Sequence, residues 1–305
     1  MSWLSFERAF SKPNFSVAWS LKVLYLLSIQ SVTNYSSALQ KWEGGKMKSV
    51  YTTHDLLNAG DSTVLDQQEI MALGDSWFWY PFGGNIVSSL ARRLPDNDRS
   101  ILLIGSNGQE ASAWSNSFKT YIQFAMREWG KRCSVFMLSG GGNDVAGEKD
   151  FRRLLKNDCS KMKKAEDCFS DGQPTLAVEL IKNNYVSAIK EYRRYNKKGV
   201  VICHNYATPF PTGKGVFGNA DWLRVPMEGA KVPVGLRREV FRQLLEELGA
   251  MQLSLADDEL GPVVVIDSKD DLDDEKYWQN ELHPNSDGFD RLVKKHWEKV
   301  IKDFI

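Results

Sequence analysis

The sequence has few histidines and cysteines and no net charge, and each of these shortages excludes a class of function. Only four histidines and four cysteines occur among 305 residues, and none has the C-x-x-C or H-x-x-x-H spacing typical of zinc sites. Basic and acidic residues number 39 each, so the formal net charge is zero. A surface that attracts nucleic acid or an anionic membrane is therefore not expected. The sequence predicts no metal site and no nucleic-acid partner.

The glycine-rich stretches also lack the spacing of nucleotide-binding loops. Gly140–Gly142 is not followed by a glycine at the position that a G-x-G-x-x-G fingerprint requires. The stretch Thr212-Gly213-Lys214-Gly215 does not match a phosphate-binding loop either. No cofactor is predicted, and neither an internal repeat nor a low-complexity segment is present.

No uninterrupted apolar run near the N-terminus is long enough for a membrane span. The stretch 15–32 is fairly apolar, but Lys22 interrupts it, and a central lysine costs about 2.5–3.5 kcal/mol on insertion scales. The remaining run, 23–29, is at the short end for a signal-peptide core, although 36–38 would suit a cleavage site. We favour an amphipathic helix that packs on the main domain or on an unidentified protein partner. A cytoplasmic location is expected, with export as the alternative.

The cysteines leave the compartment open. Cys133 and Cys203 lie in strand-like runs and are predicted to be buried thiols that act as small apolar residues. Cys159 and Cys168 flank a polar loop. A disulfide between them would form only in an oxidising compartment.

From residue 68 onwards, short apolar runs alternate with amphipathic helical patterns. Strands are predicted at 69–73, 100–104, 133–138, 199–203 and 262–266, and helices at 84–94, 110–129, 176–195, 234–255 and 286–304. The strands are almost wholly apolar, as expected when both faces of a sheet are covered. This alternation predicts an α/β fold with a parallel sheet between helices.

The predicted organisation is a partly helical N-terminal extension, residues 1–67, followed by one α/β domain, residues 68–305. Two stretches of that domain, 147–172 and 207–233, are too long for ordinary connections. We interpret them as lids or substrate-facing insertions.

Chemically useful groups follow the predicted strands. Ser76 comes directly after the first strand, the glycine-containing stretch 105–110 after the second, and Asn143 after the third, while His283 precedes the last helix. Ligands bind at the carboxyl edge of open α/β sheets. Serine is a poor nucleophile until a base takes its proton. A hydroxyl, a backbone donor, an amide and an imidazole at one edge are the groups that acyl transfer needs.

In this order, the four groups of residues resemble the sequence blocks of the SGNH (GDSL) hydrolase superfamily. The matching blocks are Gly74-Asp75-Ser76, with Trp77 in place of the usual leucine; Gly108, with Gly105 as an alternative; Gly141-Gly142-Asn143-Asp144; and His283-Pro284 followed by Gly288. The resemblance covers about residues 68–304. It implies a three-layer α/β/α fold with a flavodoxin-like, doubly wound, five-stranded parallel sheet.

The resemblance also implies roles for individual residues. Ser76 would attack an ester carbonyl, and His283 would accept its proton. The oxyanion would be bound by the backbone N–H groups of Ser76 and Gly108 and by the Asn143 amide. The expected substrate is a small-molecule acyl ester or an acylated carbohydrate, and the expected activity is that of a serine esterase without a cofactor. O-acyl transfer with the same residues is an alternative.

One position departs from the family pattern. The family usually has aspartate three residues before the histidine, where this chain has Asn280. An amide can accept from the imidazole Nδ1–H but carries no charge, and if flipped it would favour the wrong tautomer. Three alternatives follow: a Ser-His dyad supported by Asn280, another carboxylate such as Glu281 or Asp267, or a catalytically weak binding protein.

The segment next to the nucleophile, 77–82, is unusually aromatic. Its side chains would form an apolar wall for an acyl chain or a stacking platform for a sugar, or else pack a helix on the sheet. Of these residues, only Trp77 is assigned a substrate-binding role. His204 follows the fourth strand and is interpreted as a core or rim histidine.

Overall fold

A computed structural model describes residues 50–58, 68–94, 100–219, 222–256 and 259–305. The apolar N-terminal stretch 15–32 and the stretch 36–38 lie outside these ranges, and both interpretations of them stay predictions. Within the same ranges, no helix combines the length and the apolar character that crossing a bilayer requires.

The centre of the fold is a six-stranded sheet in which every pair of neighbouring strands is parallel. The strands are β1 (Val50–Thr52), β2 (Gln68–Gly74), β3 (Ser100–Gly105), β4 (Val135–Ser139), β5 (Val200–Asn205) and β6 (Val263–Asp267). Their spatial order is β1-β3-β2-β4-β5-β6. Apart from β1, this is the 2-1-3-4-5 order of flavodoxin-like sheets, in which ligands bind where the strand order reverses. The predicted α/β fold is confirmed.

The predicted number of five strands is wrong by one. The additional strand, β1, pairs with β3 at the edge of the sheet. It lies in the stretch that the sequence analysis assigns to the N-terminal extension. With three residues, it is too short to show a periodicity.

The helices of the described ranges flank this sheet. They are α1 (Thr53–Asn58), α2 (Ser76–Trp79), α3 (Ile86–Ala91), α4 (Ser112–Ser115), α5 (Lys119–Ala125), α6 (Gly142–Val145), α7 (Glu148–Leu154), α8 (Thr175–Tyr195), α9 (Arg224–Gly229), α10 (Arg237–Leu253), α11 (Ser286–Leu292) and α12 (Glu298–Lys302). A π-helical turn, Met126–Gly130, extends α5, and another, Val293–Trp297, joins α11 to α12.

Burial in the strands shows that helices cover both faces of the sheet. Ile70, Met71, Ala72 and Leu73 in β2 are consecutive, and each has no exposed surface. Successive strand side chains point to opposite faces. Both faces of the central strand are therefore covered, which explains why its sequence is uniformly apolar.

Both predicted insertions contain ordered structure. The first includes α7 and a 3₁₀ turn, Glu166–Cys168, and the second includes α9. All four cysteines are free and buried. The Cys159 Sγ lies 3.5 Å from the backbone oxygen of Cys168, so the two thiols that were considered for a disulfide are neighbours in the reduced protein.

Arg193 at the end of α8 ties the helix to the beginnings of β5 and β6. Its guanidinium donates to the backbone oxygens of Gly199 at 2.5 Å, Leu260 at 2.6 Å and Pro262 at 3.1 Å. The residue is 8% exposed. These are buried, charge-assisted bonds, which are stronger than hydrogen bonds between neutral groups.

We therefore expect Arg193→Met to lower the free energy of unfolding by about 3 kcal/mol, because it removes three charge-assisted hydrogen bonds from a buried position. Urea denaturation followed by circular dichroism measures the change. The matched control is Arg194→Met, since the Arg194 side chain is 68% exposed and forms a surface ion pair with Glu191. The control is expected to change stability by less than about 0.5 kcal/mol. Equal effects of the two substitutions would contradict the assignment.

Candidate active site

Ser76 lies at the carboxyl end of the central strand, as the first residue of α2. Asp75 caps this helix, and its Oδ1 accepts the backbone N–H of Trp77 at 3.0 Å. The Asp75 side chain accepts the N–H of Trp77 and not that of Ser76. As the first helical residue, Ser76 also has no carbonyl acceptor for its N–H within the helix. Before the cap, Gly74 packs so closely on β4 that an added Cβ would lie 2.8 Å from the backbone oxygen of Ser139. The glycine thus allows the sharp strand-to-helix turn that presents the serine.

Asp75 is also the centre of a buried network beneath the serine. Its carboxylate accepts the hydroxyl of Ser139 at 2.8 Å and that of Tyr206 at 2.6 Å. Burial raises the pKa of Asp75 to about 6, although these hydrogen bonds favour the charged form. The Tyr206 hydroxyl accepts the backbone N–H of Gly142 at 3.3 Å. Tyr206, a residue that the sequence analysis missed, therefore connects the turn of Ser76 to the turn of Asn143.

His283 contacts Ser76 from the loop before α11. Its Nε2 lies 2.7 Å from the Ser76 Oγ, and its Nδ1 lies 2.9 Å from the Oδ1 of Asn280. All three side chains are buried or nearly so. The structure thus places three residues proposed from the sequence in one hydrogen-bonded chain.

The amide of Asn280 has one orientation that satisfies its neighbours. Its Oδ1 accepts the backbone N–H groups of Leu282 at 3.0 Å and of His283 at 2.9 Å. Its Nδ2 donates to the hydroxyl of Tyr80 at 2.8 Å. A flipped amide would place its NH₂ group against two N–H donors. Since the oxygen must face the imidazole, Nδ1 carries the proton and Nε2 is free to accept one from Ser76.

The two carboxylates considered as substitutes for aspartate lie elsewhere. Glu281 has no exposed surface, and its carboxylate accepts backbone N–H groups of the second insertion: Gly213 at 3.0 Å, Leu223 at 3.1 Å and Arg224 at 2.7 Å. Asp267 forms an ion pair with Lys269 at 2.6 Å. The described contacts give His283 an amide partner and no carboxylate.

Asn143 and Gly108 lie on two neighbouring turns. The Nδ2 of Asn143, in the first turn of α6, donates to the backbone oxygen of Gln109 at 3.2 Å. Asp144 fixes the same loop by accepting the N–H groups of Ala111 at 2.7 Å and Ser112 at 2.9 Å. These bonds hold the second sequence block against the third.

The structure gives the two candidate glycines of the second block different roles. Gly105 has φ of +110°, and an added Cβ would lie 2.2 Å from the backbone oxygen of Gly74, so this position requires glycine for packing. Gly108 has φ of +74° and open space where a Cβ would be. Of the two, Gly108 has the more accessible backbone.

A pocket opens beside the serine, with a volume of about 380 Å³ that includes space open to solvent. Its lining includes Ser76, His283, Asn143 and Trp77, and the side chains of Pro209 and Phe241 contribute apolar surface. Trp77 also donates its Nε1–H to the backbone oxygen of Leu282 at 3.2 Å. It therefore forms part of the pocket wall and also packs against the loop of His283, and its substrate-binding role stays a prediction.

His204 lies below the pocket and not in it. It is 1% exposed, and its Nε2 bonds to the Ser139 Oγ at 2.8 Å. Burial lowers the pKa of His204 to about 3. It is a neutral core histidine. In the described part of the chain, no group of three or more His, Cys, Asp or Glu side chains is arranged to hold a metal ion.

Burial also lowers the pKa of His283 to about 3. We expect its imidazole to remain neutral at pH 5 in the folded protein, whereas the urea-unfolded chain should titrate near the ordinary value of about 6.5. The ¹⁵N chemical shifts of the imidazole nitrogens measure this directly, with His283→Gln assigning the signals. Because the unfolded chain binds more protons, the contribution of His283 to stability should decrease as pH falls from 6.5 towards 3. A His283 signal that titrates near pH 6.5 in the folded state would contradict the expectation.

No protein-family model matches the chain, and no curated protein matches it. Among solved structures, the chain is similar to the lipase Lip_vut3 from a goat rumen metagenome, with 17% identity, a TM-score of 0.47, and coverage of 78% of this chain and 97% of that one. Est24, a carbohydrate acetylesterase from Sinorhizobium meliloti, has 13% identity and a TM-score of 0.46, with 78% and 100% coverage. A Bacteroides ovatus protein described as a GDSL-like lipase has 13% identity and a TM-score of 0.44, with 77% and 53% coverage. The sequence blocks of this chain resemble those of the SGNH (GDSL) hydrolase superfamily, and its sheet has the flavodoxin-like strand order.

Proposed function

We propose that this protein is a serine hydrolase that cleaves carboxylic esters through an acyl-serine intermediate. The observation that carries the proposal is the continuous chain of hydrogen bonds from the Ser76 Oγ through His283 to the Asn280 Oδ1, at 2.7 and 2.9 Å. Such a chain activates a serine because the neutral Nε2 can accept the hydroxyl proton as the oxygen attacks.

In the acylation step, the Ser76 Oγ forms a bond to the ester carbonyl carbon while its proton moves to the His283 Nε2. The carbonyl oxygen becomes an oxyanion, for which the N–H groups of Ser76 and Gly108 and the Asn143 Nδ2 are the proposed donors. The bond to the alcohol oxygen then breaks, and the alcohol leaves with the proton from Nε2. A water molecule repeats the sequence on the acyl-serine and releases the acid.

The surroundings of the serine support a small or medium-sized acyl group. The pocket beside Ser76 is lined by small or apolar residues such as Ala146, Ala207 and Phe241. Glu281 anchors the backbone of the second insertion near the catalytic loop. An anchored insertion beside a small pocket favours a small-molecule ester or an acylated carbohydrate over a bulk lipid surface.

The first test is covalent labelling by a fluorophosphonate, followed by intact-mass spectrometry. The wild type is expected to gain one phosphonyl group, and Ser76→Ala none, because only an activated serine reacts with this reagent. Ser160→Ala is the control, since Ser160 is an exposed serine outside the pocket lining, and it should be labelled as the wild type is. A folded wild-type protein that stays unlabelled from neutral to mildly alkaline pH would overturn the proposal and favour a binding protein built on a hydrolase fold.

Asn143→Ala tests the oxyanion donors. Loss of one donor is expected to lower kcat for a p-nitrophenyl ester by about 10²- to 10³-fold, with a much smaller change in KM. The matched control is Asn116→Ala, because the Asn116 side chain is exposed and donates only to a nearby backbone oxygen, that of Ser112. An unchanged kcat in Asn143→Ala would remove this residue from the proposed site.

A further inference from the structure

Tyr80 contacts both the proposed base, His283, and its hydrogen-bond partner Asn280, although no sequence block contains Tyr80. Its ring stacks on the His283 imidazole with centroids 4.1 Å apart and an angle of 5° between the planes. Its hydroxyl oxygen accepts the Asn280 Nδ2–H at 2.8 Å. The residue is 1% exposed and ends the short helix that Ser76 begins. Tyr80 is therefore rigidly placed against the two side chains that control the proton of Ser76.

The imidazole of His283 becomes positively charged when it takes the serine proton. In a Ser-His-Asp site the carboxylate stabilises that charge, but Asn280 is neutral. His283 is 7% exposed, so solvent stabilises the charge only weakly. The face of an aromatic ring attracts a cation, and more strongly where water is excluded. Among the described residues, two rings lie against the imidazole: that of Trp222 is nearly perpendicular to it, with centroids 6.0 Å apart, whereas that of Tyr80 is closer and presents its face. The stacked phenol ring is therefore well placed to supply this attraction.

We propose that Tyr80 is a positioning residue that compensates for the missing carboxylate. Its hydroxyl holds the Asn280 amide in place beside Nδ1, in the orientation that the backbone N–H groups of Leu282 and His283 set, and its ring stabilises the imidazolium of His283 in the transition state. This inference rests on the proposed esterase function. It adds Tyr80 to the interacting side chains of the proposed site, which are Ser76, His283 and Asn280.

Two substitutions separate the two contributions. Tyr80→Phe keeps the ring and removes the acceptor for Asn280, and is expected to lower kcat about 5-fold, as for loss of one hydrogen bond. Tyr80→Leu removes the ring as well, and is expected to lower kcat at least about 10-fold. KM should stay within about 2-fold in both, because neither effect acts on the bound ground state. Phe82→Leu is the control, since Phe82 contacts the Tyr80 ring edge-on and is 56% exposed, and it should leave kcat unchanged.

The distinguishing measurement is a double-mutant cycle with Asn280→Asp. A carboxylate at this position would stabilise the imidazolium directly, so the loss of kcat caused by Tyr80→Leu should shrink to less than about 3-fold in the Asn280→Asp background. If Tyr80 only supports packing, the substitution should cost the same factor in both backgrounds. Equal factors would overturn the proposal for the ring.

A measurement that does not need activity completes the test. In Ser76→Ala, the ¹⁵N shifts of His283 should show a protonated Nδ1 and an unprotonated Nε2. Adding Tyr80→Phe should move the Nδ1–H proton signal upfield, because a less firmly held amide forms a longer hydrogen bond with Nδ1. An unchanged Nδ1–H signal would overturn the role of the hydroxyl, and Tyr80→Phe is conservative enough to fold. Failure of the wild type to react with a fluorophosphonate would instead reject the esterase function, while this NMR result would still report on the positioning.

Discussion

The site depends on a single oxygen atom, the Asn280 Oδ1. It accepts two backbone N–H groups of its own loop and faces the Nδ1 of His283. The backbone donors fix the orientation of the amide, and the amide in turn fixes which imidazole nitrogen carries the proton. A neutral side chain can therefore select the tautomer that a base requires. The neutral amide provides no negative charge to stabilise an imidazolium. In our proposal, the stacked ring of Tyr80 supplies that stabilisation instead.

The sheet positions these groups by bringing strand ends together. β2, β3 and β4 are parallel neighbours whose last residues, Gly74, Gly105 and Ser139, are in register. The loops that follow therefore begin at one edge, where Ser76 and Asn143 meet. Close approach between these strand ends requires glycine at positions 74 and 105. Glycines that look like simple turn signals in the sequence are thus packing requirements of the site.

Much of this arrangement could be predicted from the sequence, because short apolar runs indicate buried strands and the polar residues that follow indicate where the strands end. The five longer strands and the residues Ser76, Asn143 and His283 followed from that pattern. The strand Val50–Thr52 did not, because three residues show no period. The orientation of Asn280 depends on backbone donors of a loop, and the contact of Tyr80 with that loop joins residues 200 positions apart. Neither of these has a local signal in the sequence.

The buried carboxylate of Glu281 has a consequence for attempts to redesign the pocket. It lies between Asn280 and His283 in the chain, yet its hydrogen bonds go to the backbone of the second insertion. Shortening that insertion to admit larger substrates would leave a buried carboxylate without its donors. We expect the segment 280–283, which includes His283, to rearrange so that water can solvate the Glu281 carboxylate. The size of the pocket and the position of His283 are therefore coupled in this protein. A design that widens the pocket should also replace Glu281 with a neutral residue.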